Sequence, residues 1–160
     1  MLLTDSDWAT CPRTRRSKTG GVLYHGSHAV GFWCKLQDRV ATSSGVAELK
    51  AVCKGYSELI LLRHIVGFLR QDAVKLSVHG TDANACRGIL LRHGAGPVKW
   101  LSVRQLWVQE LIKDYGIEVN KISREDNTAD FLCSPGKEQQ LDERLAELGC
   151  WVMATLSLMR

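Results

Sequence analysis

Gly20-Gly21-Val22-Leu23-Tyr24-His25-Gly26-Ser27-His28-Ala29-Val30-Gly31-Phe32-Trp33-Cys34-Lys35-Leu36 is the stretch that decides the fold. Two apolar runs, Val22 to Tyr24 and His28 to Leu36, flank the short turn His25-Gly26-Ser27. That pattern predicts a β-hairpin. Upstream, Leu2 to Trp8 reads as one more strand, so a three-strand antiparallel meander comes first. Downstream, Ser43 and Ser44 offer N-cap oxygens. Val46, Leu49, Cys53, Tyr56 and Ile60 then recur at the steps of an amphipathic helix running to about Arg70. Val74 to Val78 alternates as a strand that ends at Thr81-Asp82. Ala83 to Arg92 reads as a short helix, closed by Gly94-Ala95-Gly96-Pro97. Val98 to Tyr115 is a second helical stretch stopped by Gly116, and Ile117, Val119 and Ile122 alternate as a last strand. Thr128 starts a short helix, Pro135-Gly136 interrupts it, and Lys137 to Leu148 reads as a charged surface helix. A meander followed by β-α-β crossovers gives one mixed sheet covered by helices, an α/β domain.

A chain of 160 residues is one domain by default, with 45% hydrophobic and 24% charged residues as in ordinary globular proteins. Its net charge of +4 is unevenly spread. Residues 1–124 carry 18 Lys/Arg against 10 Asp/Glu, whereas residues 125–160 carry 3 against 7, so the body is basic and suits a polyanionic partner. Cys11, Cys34, Cys53, Cys86, Cys133 and Cys150 show no zinc-like spacing. They read as thiols of a reducing compartment, which places the chain in cytoplasm or nucleus and not outside the cell. The apolar run from Cys150 to Met159 is about half the ~20 residues that a membrane-spanning helix needs, so no membrane partner is expected.

Four acidic signatures follow one another: Thr4-Asp5-Ser6-Asp7-Trp8, Ser43-Ser44-Gly45-Val46-Ala47-Glu48-Leu49, Thr81-Asp82-Ala83-Asn84-Ala85 and Asn127-Thr128-Ala129-Asp130. Asp5 and Asp82 fall on strands, Glu48 in the first turn of the long helix, and Asp130 where a strand gives way to a helix. Strand ends and helix starts are where α/β folds gather side chains into one crevice. Four gathered carboxylates resist ionisation unless a cation joins them, and an all-oxygen site suits magnesium or manganese.

Together these elements and signatures resemble the ribonuclease H domain of copia-type, retrovirus-related retrotransposon Pol polyproteins, over roughly residues 3–135. The resemblance includes the segment Cys11-Pro12-Arg13-Thr14-Arg15-Arg16-Ser17-Lys18-Thr19-Gly20 between the first two motifs. It implies a ribonuclease H-like fold: a five-stranded mixed sheet, three strands antiparallel and two parallel, flanked by helices. It divides the chain into a ribonuclease H-like domain, 1–135, and a C-terminal helical extension, 136–160. The implied activity is metal-dependent hydrolysis of the RNA strand of an RNA–DNA hybrid, with the rest of a Pol polyprotein as a further partner. The alternative is an inactive retroelement remnant that only binds nucleic acid. A strand-transfer integrase of the same broad fold would end its acidic set with a helical Glu, which Asn-x-Ala-Asp disfavours.

Carried over by position, the resemblance makes Asp5, Glu48, Asp82 and Asp130 both catalytic residues and ligands of two Mg²⁺ or Mn²⁺ ions. Asp5 would bridge both ions, Glu48 and Asp82 would serve the leaving-group side, and Asp130 the side of the attacking water. Arg13, Arg15, Arg16, Ser17 and Lys18 would contact substrate phosphates, as guanidinium forks do. Asn84 would reach a sugar hydroxyl or cap the helix behind it. Asp7 and His79 read as structural, Trp33, Trp107 and Trp151 as packing residues, and Trp8 as packing beneath the acids.

Overall fold

The computed structural model describes residues 1–74, 76–97 and 101–134. The extension at 136–160, the helix at Lys137 to Leu148, Cys150 and Trp151 lie outside the described residues. Three strands come first: β1 Leu2–Ser6, β2 Lys18–His25 and β3 His28–Leu36. The helix α1 Ser44–Arg70 follows, then β4 Ser77–Thr81, α2 Asn84–Leu90, α3 Val103–Tyr115, β5 Ile117–Lys121 and α4 Asp130–Cys133. The sheet order is β3-β2-β1-β4-β5. β1, β2 and β3 pair antiparallel, and β4 and β5 join parallel, so β1 is central. This is the mixed sheet that the sequence predicts.

Several boundaries differ from expectation. β1 stops at Ser6 instead of Trp8, and β2 starts at Lys18 instead of Val22. Trp8 does not pack beneath the acids; it is about half exposed, and its Nε1 donates to the Ala41 carbonyl. β4 spans Ser77–Thr81, so it ends at Thr81 as expected but starts later than Val74. Its inward residues Ser77, His79 and Thr81 are buried but polar, so hydropathy does not mark them. α3 begins at Val103, after Ser102, whose N–H is taken by the Gln105 side chain.

Helix α1 anchors the main core. Ser43 caps it, its hydroxyl accepting from Val46 N at 3.3 Å. Leu49, Val52, Tyr56 and Leu59 pack on Leu2 and Leu23 of the sheet and on Cys86, Ile89, Leu90, Val108 and Leu111 of α2 and α3. Each such side chain contributes about 1.5–3 kcal/mol by leaving water. A smaller cluster of Leu3, Val22 and Ala129 seats the start of α4, with Phe131 and Leu132 against it.

Two glycines set the approach of these helices to β1 and β2. A Cβ on Gly55 would meet Thr4 Cγ2 at 2.8 Å, so α1 lies as close to β1 as a bare backbone permits. A Cβ on Gly20 would meet Cys133 Sγ at 2.7 Å and the Ala129 carbonyl at 2.8 Å, so α4 presses on β2 in the same way. Those two close approaches bring Glu48 and Asp130 toward Asp5.

Candidate active site

Each of the four acids sits where a different element ends or begins. Asp5 is the fourth residue of β1, Glu48 the fifth of α1, and Asp130 the first of α4. Asp82 directly follows the last residue of β4. Asp5 and Glu48 are buried, at 7% and 8% exposure, whereas Asp82 and Asp130 are partly open. Burial first, then the charges of Asp130 and Asp82, pushes the Asp5 carboxyl up from 3.8 to about 6. Burial first, then the charges of Asp5, Asp82 and Asp130, pushes Glu48 up from 4.5 to about 9, against the opposing pull of the Ser6 N–H. The four groups therefore share one electrostatic neighbourhood at the C-terminal end of β1.

Neighbouring groups fix the orientation of three of the acids. Ser6 N donates to Glu48 Oε1 at 3.2 Å, which ties α1 to the end of β1. Asn127 Nδ2 donates to Asp82 Oδ1 at 3.0 Å and to the Thr4 carbonyl at 3.1 Å. Its Oδ1 accepts from Ala129 N at 3.3 Å. One buried amide thus joins β1, the end of β4 and the entry to α4. Arg124 donates to Asp130 Oδ1 from Nη2 at 3.1 Å and Nε at 3.3 Å. Cys133 Sγ lies 3.3 Å from the Asp5 carbonyl.

The donor set fits a hard divalent cation. Glu48 Oε2 is buried and has no hydrogen-bond partner. An orphaned carboxylate oxygen costs free energy until something positive or hydrogen-bonding meets it. A cation between mutually repelling carboxyls removes both that cost and the repulsion. No group of three His, Cys, Asp or Glu side chains among the described residues forms a ready-made cage. Asp130 is drawn to Arg124, and Asp82 to Asn127 through Oδ1.

A cleft of about 440 Å³, lined by Tyr24, Arg63, Val66 and Ser77 at the other end of the sheet, holds none of the four acids.

Comparison with known proteins agrees with the fold. No protein-family model matches the chain. It is 30% identical over 132 residues to a retrovirus-related Pol polyprotein from transposon TNT 1-94 of Nicotiana tabacum. That match takes in 81% of this chain and 10% of the relative, so the chain spans about a tenth of that protein's length. It is 40% identical over 55 residues to an uncharacterized mitochondrial protein of Arabidopsis thaliana, covering 34% of this chain and 23% of that one. Among solved structures, LC11-RNase H1 in complex with RNA/DNA hybrid superposes with a TM-score of 0.59 at 15% identity, over 88% of this chain and 97% of that one. The N-terminal RNase H domain of rv2228c from Mycobacterium tuberculosis gives 0.55 at 14% identity, over 91% and 94% of the two chains.

The chain is a ribonuclease H-like domain related to copia-type Pol polyproteins.

Around the acids of this ribonuclease H-like domain, the basic loop divides into two kinds of residue. Arg13 and Arg15 are exposed, and Arg16 and Lys18 are half-buried. Ser17 departs from the sequence reading. It is fully buried and its hydroxyl accepts from Ala9 N at 3.0 Å, so it shapes the loop. Asp7 is structural, accepting from Lys18 N and from the Thr10 hydroxyl. Asn84 is exposed at the first position of α2; Ala83 is the N-cap, so Asn84 caps nothing.

Two residues escape sequence reasoning. Asn127 lies inside the fourth acidic motif, but nothing local to it reveals a bond to Asp82, 45 residues away. Arg124 lies among other surface charges, and only the fold sets it beside Asp130.

Proposed function

We propose that this domain is a divalent-cation-dependent endonuclease that hydrolyses the RNA strand of RNA–DNA hybrids. The observation that carries the reading is the buried, partner-less Glu48 Oε2 inside a set of four mutually repelling carboxylates. Asp5, Glu48, Asp82 and Asp130 would hold two Mg²⁺ or Mn²⁺ ions. Such ions would supply an activated water and neutralise the leaving oxygen of an in-line displacement. Asp5, on the central strand, would be the shared ligand. Glu48 and Asp82 serve the leaving-group side, and Asp130 the side of the attacking water. Asn127 holds the Asp82 carboxylate while its second oxygen stays available. Glu48 gives up its proton on loading, so cation affinity rises with pH.

Arg13, Arg15, Arg16 and Lys18 grip phosphates, and Asn84 meets a sugar hydroxyl. Recognition of an A-like duplex by shape and 2′-OH contacts implies little sequence preference. The rest of a Pol polyprotein is the expected covalent or docking context. Among the described residues no helix is long and apolar enough to cross a membrane.

A second reading, an inactive remnant that still binds nucleic acid, is favoured by one feature. β1 pairs with β4 only through Leu2 and Leu3, so Asp5 lies beyond the parallel ladder on that side. A labelled hybrid incubated with Mg²⁺ or Mn²⁺, beside an Asp82→Asn control, separates the two. Cleavage of the RNA strand alone, lost in the control, supports the nuclease. Salt-sensitive hybrid binding without cleavage supports the remnant.

A further inference from the structure

Of the ion pairs among the described residues, one touches the carboxylate set: Arg124 to Asp130. Two nitrogens of the guanidinium converge on a single oxygen, Asp130 Oδ1. The Arg124 side chain is 73% exposed and that of Asp130 27%, so the cation reaches in from solvent over a sheltered anion. The hydrogen bond to Asp130, then the charges of Asp130, Asp5 and Asp82, hold the guanidinium above its ordinary range. The turn that carries Arg124 is braced separately. Ser123 Oγ donates to Asp126 Oδ2 at 2.7 Å and accepts from Asp126 N at 3.2 Å. The side chain is therefore free to swing away while its backbone stays in place.

Resting on the four-carboxylate reading, we propose that Arg124 is a resident counter-cation for the metal-free site, competing with the divalent ion for Asp130. It offsets part of the repulsion among Asp130, Asp5 and Asp82 while no ion is bound. A divalent ion that takes Asp130 Oδ1 must displace the guanidinium. Arg124 thereby sets a threshold for loading on the Asp130 side, and leaves the end of Glu48 unaffected.

Calorimetric titration of the full chain with MnCl₂, and separately MgCl₂, without nucleic acid tests this. In Arg124→Ala and Arg124→Gln the divalent dissociation constant falls about two- to fivefold, the size of a solvent-screened ion pair. Arg124→Lys, which keeps the charge but loses the fork, falls between wild type and Arg124→Gln. The gap between wild type and Arg124→Ala narrows as KCl is raised, because screening weakens the competitor. An unchanged or weakened affinity in both Arg124→Ala and Arg124→Gln overturns the proposal and leaves the carboxylate reading standing. Absence of divalent binding in wild type and variants alike defeats the carboxylate reading itself, and this proposal with it. The residue is exposed, so the variants keep the fold, and circular dichroism verifies this before titration.

Discussion

Thr4 and Asp5 are neighbours on β1, both buried, and they live in opposite circumstances. Thr4 Oγ1 meets His79 Nε2 at 2.9 Å, and the other ring nitrogen of His79 meets Tyr56 OH at 3.3 Å. All three residues are fully buried, and burial holds His79 neutral, with its pKa lowered to about 3. This polar network has a partner at both ring nitrogens. One residue along, Asp5 and Glu48 form a cluster with an orphaned oxygen and mutual repulsion. The satisfied network stabilises the junction of β1, β4 and α1. The unsatisfied one costs stability, and such costs concentrate where a ligand is meant to arrive.

The sharpest way to break this contrast is Glu48→Gln. If the cluster is a cation site, hybrid cleavage falls at least about a hundredfold, more than a typical outer-shell loss. At the same time the metal-free protein at pH 8 becomes more stable, on the order of 2–4 kcal/mol, because a buried carboxyl with raised pKa is gone. Urea unfolding in chelator measures the second effect. A Glu48→Gln protein that is less stable than wild type would mean that Glu48 is a structural acid.

The pH profile of metal-free stability sharpens the same contrast. The folded pKa of Asp5, about 6, and of Glu48, about 9, lie above the ordinary 3.8 and 4.5, so the folded chain holds protons that the unfolded chain has released. Their contribution is fully present below the ordinary values and is lost as pH rises through about 6 and then about 9. His79 has the opposite sign: its folded pKa lies below 6.5, so its contribution is lost as pH falls from 6.5 toward 3. Between pH 7 and 8 the Glu48 contribution falls about 1.4 kcal/mol per pH unit in chelator, partly offset by the Met1 ammonium, whose pKa burial lowers. Saturating Mg²⁺ flattens that slope. A level chelator profile between pH 7 and 8.5 would place Glu48 in water.

Thr4→Val probes the satisfied side. It removes the partner of His79 Nε2 and keeps the shape, so one buried ring nitrogen is orphaned at a cost of about 1–3 kcal/mol. Tyr56→Phe costs less, because the bond it removes is longer. A double-mutant cycle gives a coupling between the two sites through the shared ring. Strict additivity would show that the three residues do not act as one network.

The same neighbours explain what the sequence discloses. Hairpin, long helix and final strand are legible because their inward residues are apolar and periodic, as at Val46, Leu49 and Tyr56. β4 starts later than expected, although it ends where predicted, because its buried side is the polar Ser77, His79 and Thr81. No hydropathy pattern reveals a polar residue that is buried by bonding to a distant partner. The acids are legible as motifs because each stands at an element boundary. Their partners Asn127 and Arg124 are not, because one bond crosses 45 residues and the other comes from an exposed arginine that no motif marks. Helix α1 is legible to its end, but its exposure is not: beyond Leu59, the apolar Leu61, Ile65, Phe68 and Leu69 face solvent.

The smallest expected effect belongs to the basic loop, and it tests whether the substrate surface extends beyond the acids. Arg13 and Arg15 are exposed and form none of the ion pairs among the described residues, so their removal leaves the fold intact. Arg15 sits in a left-handed backbone conformation, φ 54°, which turns the loop sharply between Thr14 and Arg16. Arg15→Gly relieves that conformation and deletes the charge, whereas Arg15→Gln deletes the charge alone. If Arg15 meets a phosphate, both raise KM a fewfold with little change in kcat, since groups that bind phosphates position the duplex and do not join the reaction. The slope of log affinity against log salt becomes shallower by about 0.9 for each duplex phosphate that the protein no longer neutralises. An Arg13→Gln, Arg15→Gln double variant with an unchanged salt slope would detach the loop from the substrate. The acids at the end of β1 would then stand alone as the functional surface.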